Sequence, residues 1–364
     1  MKMRKVVVFY TGGTIGMEKN SAGVIAPSPN KLLEKLRTNT QTHHKDAVNE
    51  YKIPTASDQL VLLFENSIIL YKIMEYTPLL DSSNVAQKEW IQMAEDIGKS
   101  YEDFDGFVIL HGTDTLAYTA SALSFMLQNI QKPVVITGSQ ISIFETRNDA
   151  YNNIVTSIIL AACYPIKEVC VCFNNELLRG SRTAKVSSTR FNAFASPNYP
   201  HLAHIGSKIT LNECYIRTPK QNCFVLNANL CRGVEVVTIA PMITAEGLRG
   251  LLRNDVKGAV LRTYGSGNIC SDRREIVDIL IEAVKRETLI VNITQCINGG
   301  VTSDYETGAI LKDIGIIPGY DMTVEAAYTK LSYVLALPLS YTERVKLMKI
   351  NICGELTNEH STTN

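Results

Sequence analysis

The fold is decided first by Lys5-Val6-Val7-Val8-Phe9-Tyr10, which leads directly into Thr11-Gly12-Gly13-Thr14-Ile15-Gly16. A β-branched and aromatic run closed by a glycine-rich turn predicts a buried strand followed by a loop. Short runs of this kind recur and alternate with segments of helical period. The alternation is typical of an α/β fold, with a mostly parallel sheet flanked by helices. Further strands are expected at Gly106–Leu110, Pro133–Thr137, Glu168–Phe173, Val234–Ile239, Gly258–Thr263 and Thr288–Thr294.

The alternation lapses in the middle of the chain. Residues 206–232 form a polar stretch without a long periodic segment, which we interpret as an interdomain linker. This predicts an N-terminal domain over 1–205 and a C-terminal α/β domain over 233–364, each with a mostly parallel sheet. Asp272 followed by Glu275 predicts a capping box at a helix start. Helices are expected in the second domain near Ile243–Arg253, Asp272–Arg286 and Met322–Leu337.

Composition and charge narrow the class of protein. The 364 residues are 45% hydrophobic, which is enough apolar material for two ordinary domains or one large one. The 36 basic and 36 acidic residues cancel, and this argues against a nucleic-acid partner, because such proteins usually carry a basic surplus. No apolar run approaches the roughly 20 residues that cross a bilayer, and the first apolar run is too short for a signal peptide. We therefore expect a cytoplasmic protein without a membrane partner.

The cysteines and histidines show no metal-ligand spacing. The nine cysteines include no CxxC pair, so free thiols in a reducing compartment are the simpler interpretation. The six histidines are scattered and join no cysteine cluster. We expect no metal site.

The glycine turn Thr11–Gly16 has more than one interpretation, and a plain strand-to-loop turn is the simplest. The glycine spacing does not match a dinucleotide fingerprint, and the Gly-Lys-Ser/Thr ending of a phosphate loop is absent. Residues 17–29 contain Gly23, Pro27 and Pro29, a composition that predicts a mobile loop. A threonine beside paired glycines, followed by a candidate lid, also fits a nucleophile at Thr14.

A second motif, His111-Gly112-Thr113-Asp114-Thr115, follows the predicted strand Gly106–Leu110. Asp114 and Thr115 can be read as helix N-caps. They can also be read as part of a site, because the carboxyl end of a parallel strand presents a hydroxyl and a carboxylate together. Such a pair binds an ammonium group or orients a proton relay.

Two other segments are ambiguous when each is taken alone. Arg179–Lys185 is either a solvated basic loop or, if Lys185 turns toward Asp114, an ammonium paired for proton transfer. Asp81-Ser82-Ser83-Asn84 precedes the helical pattern around Trp90 and fits an N-cap cluster. Nothing local decides between these alternatives.

Taken together, the motifs resemble the L-asparaginase family. Thr11–Gly16 and Leu110–Leu116 are similar to the two signature segments of that family, and both are present at the expected separation. The similarity covers nearly the whole chain and is greatest to the cytosolic type I branch. It continues through Tyr76–Ser83, Thr137–Gln140, Arg182–Lys185, Asn192–Asn198 and Gly319–Thr323.

The resemblance implies a homodimer or homotetramer of two-domain α/β subunits that hydrolyses L-asparagine to L-aspartate and ammonia without a cofactor. Thr14 matches the nucleophile that forms an acyl-enzyme. Thr113, Asp114 and Lys185 resemble the groups that activate Thr14 or the deacylating water. The positions matching those that hold the substrate's α-carboxylate and α-ammonium are Asp81, Ser82, Ser83, Thr113 and Asp114.

The sequence departs from the family pattern in the lid. Many members carry a lid tyrosine, but residues 18–29 contain none, and Val24 stands in its place. Tyr305 is the expected substitute, because Val301-Thr302-Ser303-Asp304-Tyr305 resembles the animal cytosolic pattern. We predict that Tyr305 reaches the Thr14 hydroxyl; an exposed loop tyrosine is the alternative. Full turnover in Tyr305→Phe would refute the assignment.

A second departure concerns regulation. Bacterial type I relatives have an effector site for asparagine in a region that Arg262, Thr294, Gln295 and Cys296 match. Ala184 replaces the threonine that precedes the lysine in those relatives, so coupling between the two sites is an open question. An ordinary buried thiol is the simpler interpretation of Cys296.

Two other functions compete with hydrolysis of free asparagine. The amidohydrolase subunit of a tRNA-dependent amidotransferase shares the signature segments, but such subunits carry an additional domain before the first glycine motif. Here Thr11 is reached after ten residues. A catalytically inactive amino-acid-binding module is disfavoured because the expected catalytic residues are all present, namely Thr14, Thr113, Asp114 and Lys185.

Overall fold

The computed structural model describes residues 1–19, 23, 25–301 and 306–357. The chain forms two compact units. The first comprises Met1–Ser196 and Pro200–Leu226, and the second comprises Pro197–Tyr199 and the chain from Asn227 onward. No helix among the described residues has the length and apolar character that a bilayer crossing requires.

The first unit contains a large mixed sheet and several short strands. Its strands are β1 (Lys2–Gly12), β2 (Met17–Lys19), β3 (Ile25–Pro27), β4 (Gln59–Phe64), β5 (Ser67–Leu80), β6 (Gly106–Leu110), β7 (Leu127–Gln128), β8 (Val134–Thr137), β9 (Val169–Phe173), β10 (Glu176–Arg179), β11 (Ala184–Lys185), β12 (Phe194–Ala195), β13 (Ala203–Ile205), β14 (Ile209–Leu211) and β15 (Val225–Leu226). Its helices are α1 (Lys31–Thr38), α2 (Lys45–Glu50), α3 (Gln87–Lys99), α4 (Leu116–Met126) and α5 (Ala150–Cys163).

The large sheet has a parallel centre and antiparallel edges. Its strand order is β14-β13-β10-β9-β8-β6-β1-β5-β4. The pairs β5/β1, β1/β6, β6/β8 and β8/β9 are parallel, whereas the outer pairs are antiparallel. The central strands are fully buried because helices cover a parallel sheet. Strands β1, β5, β6 and β8 therefore end at one edge, where Gly12 lies beside Leu80 and Leu110 beside Thr137.

The second unit is smaller and has a parallel sheet of order β16-β17-β18-β19. Helix α7 packs a buried stripe that includes Ile276, Leu280 and Ala283 against this sheet. The strands are β16 (Val234–Thr238), β17 (Gly258–Thr263), β18 (Leu289–Thr294) and β19 (Ile317–Pro318), and the helices are α6 (Ala245–Leu251), α7 (Arg274–Lys285), α8 (Glu306–Asp313), α9 (Val324–Ala336) and α10 (Tyr341–Lys349).

The predicted α/β class is confirmed. Most predicted strands begin and end within a few residues of the observed strands. The expected capping box is wrong: the N-cap of α7 is Arg273, and no side chain caps that helix. The predicted mobile loop after Gly16 contains the antiparallel pair β2/β3. The hairpin β4/β5 was not among the predicted elements, although the apolar runs on both sides of Glu65-Asn66 indicate it.

The predicted linker over 206–232 differs from the observed boundary. Strand β14 pairs with β13 at the edge of the large sheet, and β15 pairs with β7. Both belong to the first unit, which extends to Leu226. These strands are only two or three residues long, too short to show the alternation on which strand prediction depends.

Candidate active site

The turn after β1 is shaped by close contacts of its two glycines. Gly12 and Gly13 have φ angles of 131° and 87°, which disfavour any residue with a Cβ. A Cβ on Gly13 would also lie 2.3 Å from the Cα of Gly112, and one on Gly12 would lie 2.1 Å from the Leu80 carbonyl oxygen. The glycines thus let this turn pack against the ends of β5 and β6. Thr14 follows at once and begins a 3-10 turn.

The turn after β6 packs equally closely against the segment that follows β5. A Cβ on Gly112 would lie 2.5 Å from the Ser82 hydroxyl oxygen. The Asp114 amide donates to that oxygen at 3.3 Å, and the Thr115 hydroxyl donates to the Ser82 carbonyl at 2.7 Å. Thr115 occupies the N-cap position of α4, yet its side chain makes no capping bond. The N-cap interpretation is therefore right for the position of Thr115 but wrong for its hydroxyl, and it is wrong for Asp114, which precedes the N-cap.

Lys185 lies on β11 and reaches the same turn. Its ammonium donates to Asp114 Oδ1 at 2.7 Å and to Thr113 Oγ1 at 2.9 Å. The Lys185 side chain is 20% exposed and that of Asp114 is 64% exposed. Of the two interpretations of Arg179–Lys185, the structure contains the inward contact with Asp114.

Asp81, Ser82 and Ser83 form the third part of this cluster. Asp81 Oδ1 accepts hydrogen bonds from the backbone amide and the hydroxyl of Ser83, both at 2.9 Å. Asp81 therefore caps the 3-10 turn Ser82–Asn84, whereas α3 has Ala86 as its N-cap. Ser82 is buried, and Asp81 and Ser83 are exposed beside the turn that carries Asp114.

A cleft of about 400 Å³ opens at Thr14. One wall is the segment after β8, whose backbone is held by Asp149: this carboxylate accepts from the amides of Gln140 and Ile141 at 3.0 Å. The sequence reasoning did not assign roles to Asp149 or Gln140, although a segment directly after a parallel strand is itself a signal. The residues lining the cleft are Thr14, Met17, Lys19, Gln140, Ile141, Ser142, Glu145, Thr146 and Arg147.

His111 is the first residue of the turn after β6, and it is fully buried. Its Nδ1 is 2.7 Å from the Gly112 carbonyl oxygen and its Nε2 is 3.0 Å from the Thr119 hydroxyl, which accepts from Trp90 Nε1 at 2.9 Å. A carbonyl oxygen can only accept, so Nδ1 carries the proton and Nε2 accepts from Thr119. Burial lowers the pKa of His111 to about 4. This histidine is neutral at pH 7 and supports the turn from behind, a role the sequence did not indicate.

The structure does not describe every predicted site residue. Tyr305 and Val24 lie outside the described residues. The described part of the chain contains no group of three or more His, Cys, Asp or Glu side chains that could hold a metal ion.

The four residues of the predicted effector region lie together at the carboxyl ends of β17 and β18 in the second unit. Gln295 donates through its side-chain amide to the Arg262 carbonyl at 2.9 Å, and the Cys296 amide donates to Thr294 Oγ1 at 3.0 Å. Cys296 is exposed, so its interpretation as a buried thiol is wrong. Arg262 Nε is buried without a hydrogen-bond partner among the described residues.

Comparisons with known proteins agree with this architecture. Family models described as "Asparaginase, N-terminal" and "Glutaminase/Asparaginase C-terminal domain" match residues 5–217 and 233–348. The chain is 42% identical over 358 residues to L-asparaginase 1 of Escherichia coli K12, covering 98% of this chain and 99% of that protein. It is 45% identical over 363 residues to an L-asparaginase of Dirofilaria immitis, covering 97% of this chain.

The present chain spans only 60% of the length of the Dirofilaria protein. Among solved structures, L-asparaginase I from Vibrio cholerae superposes with a TM-score of 0.83 at 38% identity, covering 98% of this chain and 99% of that one. The resemblance inferred from the two signature segments is confirmed. The chain belongs to the asparaginase family.

Proposed function

We propose that this protein hydrolyses L-asparagine to L-aspartate and ammonia, with Thr14 as the nucleophile. The observation that carries the proposal is the double contact of Lys185 with Thr113 and Asp114. That turn packs through Gly112 against Gly13, the residue before Thr14. A hydroxyl nucleophile, a second hydroxyl bonded to an ammonium, and a carboxylate are thereby gathered at one sheet edge.

The chemistry requires two steps. The Thr14 oxygen attacks the side-chain amide carbon of asparagine, the C–N bond breaks, and the leaving NH2 group takes up a proton and departs as ammonia, balanced by the proton that the Thr14 hydroxyl gives up. Water then attacks the aspartyl ester, one of its protons restores the Thr14 hydroxyl, and aspartate is released. Lys185 donates to Thr113 Oγ1, which makes the Thr113 proton easier to transfer to the leaving group. Thr113 and Lys185 are therefore the proposed proton path.

Substrate binding is assigned to the charged and polar groups around Ser82. Asp81 and Asp114 present exposed carboxylates that would bind the α-ammonium, and the Ser82 hydroxyl would donate to the α-carboxylate. The Ser83 hydroxyl, which donates to Asp81 Oδ1 here, would turn away from Asp81 to donate to the α-carboxylate as well. Binding these remote groups aligns the amide carbon with Thr14. Because glutamine has one more methylene, its amide carbon lies farther along the side chain, and we expect a strong preference for asparagine.

Ammonia release from L-asparagine by the purified chain tests this function. Removing a nucleophile raises the barrier by several kcal/mol, so Thr14→Ala should lose at least about a thousandfold in turnover. Equal rates in both proteins would reject Thr14. Release without any partner or tRNA would separate hydrolysis of free asparagine from the amidotransferase alternative, and no release by the wild type would favour that alternative.

We propose further that Arg262, Thr294, Gln295 and Cys296 bind asparagine as an effector. Support comes from the unpartnered Arg262 Nε and from Glu325, one of whose carboxylate oxygens is buried without a hydrogen-bond partner among the described residues. Burial raises the pKa of Glu325, although the positive charge of Arg262 acts to lower it. A sigmoidal dependence of velocity on asparagine that becomes hyperbolic in Arg262→Ala would support the proposal. A hyperbolic wild-type curve would reject it.

Assembly, location and Tyr305 complete the proposal. We propose a cytoplasmic homodimer or homotetramer, which sedimentation equilibrium would distinguish from a monomer.

Tyr305 is proposed to assist Thr14, so Tyr305→Phe should lower turnover while substrate binding is retained.

A further inference from the structure

Thr115 stands where a helix N-cap is expected but uses its hydroxyl elsewhere. Threonine at this position ordinarily accepts a bond from the first turn of its own helix. Here no such bond forms, and the first turn of α4 is held by a backbone bond from the Thr119 amide to the Thr115 carbonyl at 3.0 Å. The hydroxyl instead donates to the Ser82 carbonyl, 33 residues away, at 2.7 Å.

This bond is one of two that Asp114 and Thr115 donate to Ser82. The other runs from the Asp114 amide to the Ser82 hydroxyl oxygen at 3.3 Å. Gly112 leaves no room for a side chain beside Ser82, since its Cβ would lie 2.5 Å from the Ser82 hydroxyl. The Asp81–Asn84 turn is therefore joined to the segment Gly112–Thr115 by two hydrogen bonds and by the close approach of Gly112 to the Ser82 side chain.

We propose that Thr115 is a positioning residue for substrate binding, which sets the separation of the Asp81 and Asp114 carboxylates. The inference rests on the proposed function, in which both carboxylates bind the α-ammonium of asparagine. Asp81 and Asp114 lie on different turns, and each is exposed, so neither is fixed by packing of its own side chain. The bond from the Thr115 hydroxyl ties the start of α4, directly after Asp114, to the backbone carbonyl of Ser82, directly after Asp81.

The Thr115 hydroxyl is not required to satisfy its partner. The Ser82 carbonyl also accepts from the Val85 amide at 3.1 Å, so it keeps one hydrogen bond when the hydroxyl is removed. The helix start likewise depends on the Thr115 backbone and not on its side chain. Thr115→Val should therefore fold, and its effect should appear in substrate binding.

The test compares Thr115→Val, which has the same shape but no donor, with Thr115→Ser, which keeps the donor. In ammonia-release assays, Thr115→Val should raise KM for asparagine about tenfold and change kcat less than about threefold, as expected for loss of one hydrogen bond that positions binding groups. Thr115→Ser should restore KM to within about twofold of wild type.

Thr42→Val is the control, because the Thr42 hydroxyl, like that of Thr115, donates to a backbone carbonyl, here that of Leu36, and Thr42 is buried outside the site. It should lower the thermal unfolding temperature without changing KM. An unchanged KM in Thr115→Val, or a KM in Thr115→Ser as high as in Thr115→Val, would overturn the positioning role. An active wild type with either result rejects this inference alone, whereas a wild type that releases no ammonia rejects the proposed function and this inference with it.

Discussion

The two units each contain a lysine paired with a carboxylate, and the two pairs have nearly equal lengths. Lys185 and Asp114 are 2.7 Å apart with side chains 20% and 64% exposed, whereas Lys330 and Glu355 are 2.6 Å apart and fully buried. Lys185 donates to a hydroxyl and a carboxylate on an open turn. Burial and the remaining partners, and not the ion pair itself, therefore separate a chemically available lysine from a structural one.

The buried pair is saturated. Besides Glu355, Lys330 donates to the backbone carbonyls of Met348 and Ile350, at 2.9 and 2.6 Å, which uses all three ammonium donors. Glu355 accepts from the amides of Ile352 and Cys353. These bonds fasten the last turn of α10 and the segment after it to α9. Neither group has capacity left for a ligand, so the pair holds the chain in place.

The largest effect is expected from breaking the Lys185–Asp114 pair. Lys185→Met removes the ammonium from Thr113 and Asp114 and should lower turnover at least about a hundredfold, the contribution typical of a positioned proton-transfer group. Exposed ion pairs add little stability, so its thermal unfolding temperature should change by less than about 4 °C. Steady-state kinetics and calorimetry on one preparation check both expectations. A large loss of stability would show that Lys185 is structural.

The next largest effect is expected from breaking the buried Lys330–Glu355 pair. Lys330→Met leaves Glu355 buried without its cation and should cost about 3 to 5 kcal/mol of the second unit's stability. Denaturant unfolding followed by hydrogen exchange in the segment 348–356 would measure the loss. The folded variant should keep its KM and kcat, in contrast to Lys185→Met. Retained stability would contradict the structural assignment.

Acid should affect the two units in different pH ranges. Burial lowers the pKa of His111 to about 4, so the unfolded chain binds its proton first and the first unit loses about 3 kcal/mol at most as pH falls from 6.5 to 4. For Glu355, burial acts to raise the pKa, but Lys330 and the two amides outweigh it, and the pKa lies below its usual 4.5. Its contribution is complete above about pH 4.5 and is lost as pH falls through the lowered pKa.

Hydrogen exchange as a function of pH, resolved by peptide, would separate these ranges. His111→Asn should flatten the dependence of the first unit between pH 6.5 and 4, and Glu355→Gln should flatten that of the second unit below about 4.5. The same pH range for both units would contradict the comparison.

Local patterns were sufficient to predict part of the structure. The apolar run before Thr11 and the paired glycines after it indicate β1 and its turn, because both depend on adjacent residues. The strands Gly106–Leu110 and Gly258–Thr263 have identical predicted and observed bounds. Three-residue strands such as β14, and the cap at Arg273, carry too little local signal.

Contacts between distant residues could not be derived from spacing. Lys185 and Asp114 are 71 residues apart, and only the folded sheet edge brings them together. The residues allowed that pair only as one of two alternatives and the resemblance to a family favoured it, whereas nothing suggested the pairing of Lys330 with Glu355. The one signal for Lys330 is its place among the apolar residues of α9, where an unpaired lysine would be costly.

The most direct test of the central claim is to locate the covalent intermediate. The wild-type protein would be mixed with L-asparagine, quenched in acid within its first turnovers, digested and fragmented by mass spectrometry. We predict an aspartyl group on Thr14, and none in the Thr14→Ala variant. An aspartyl group on any other residue, or turnover by Thr14→Ala equal to that of the wild type, would contradict the account.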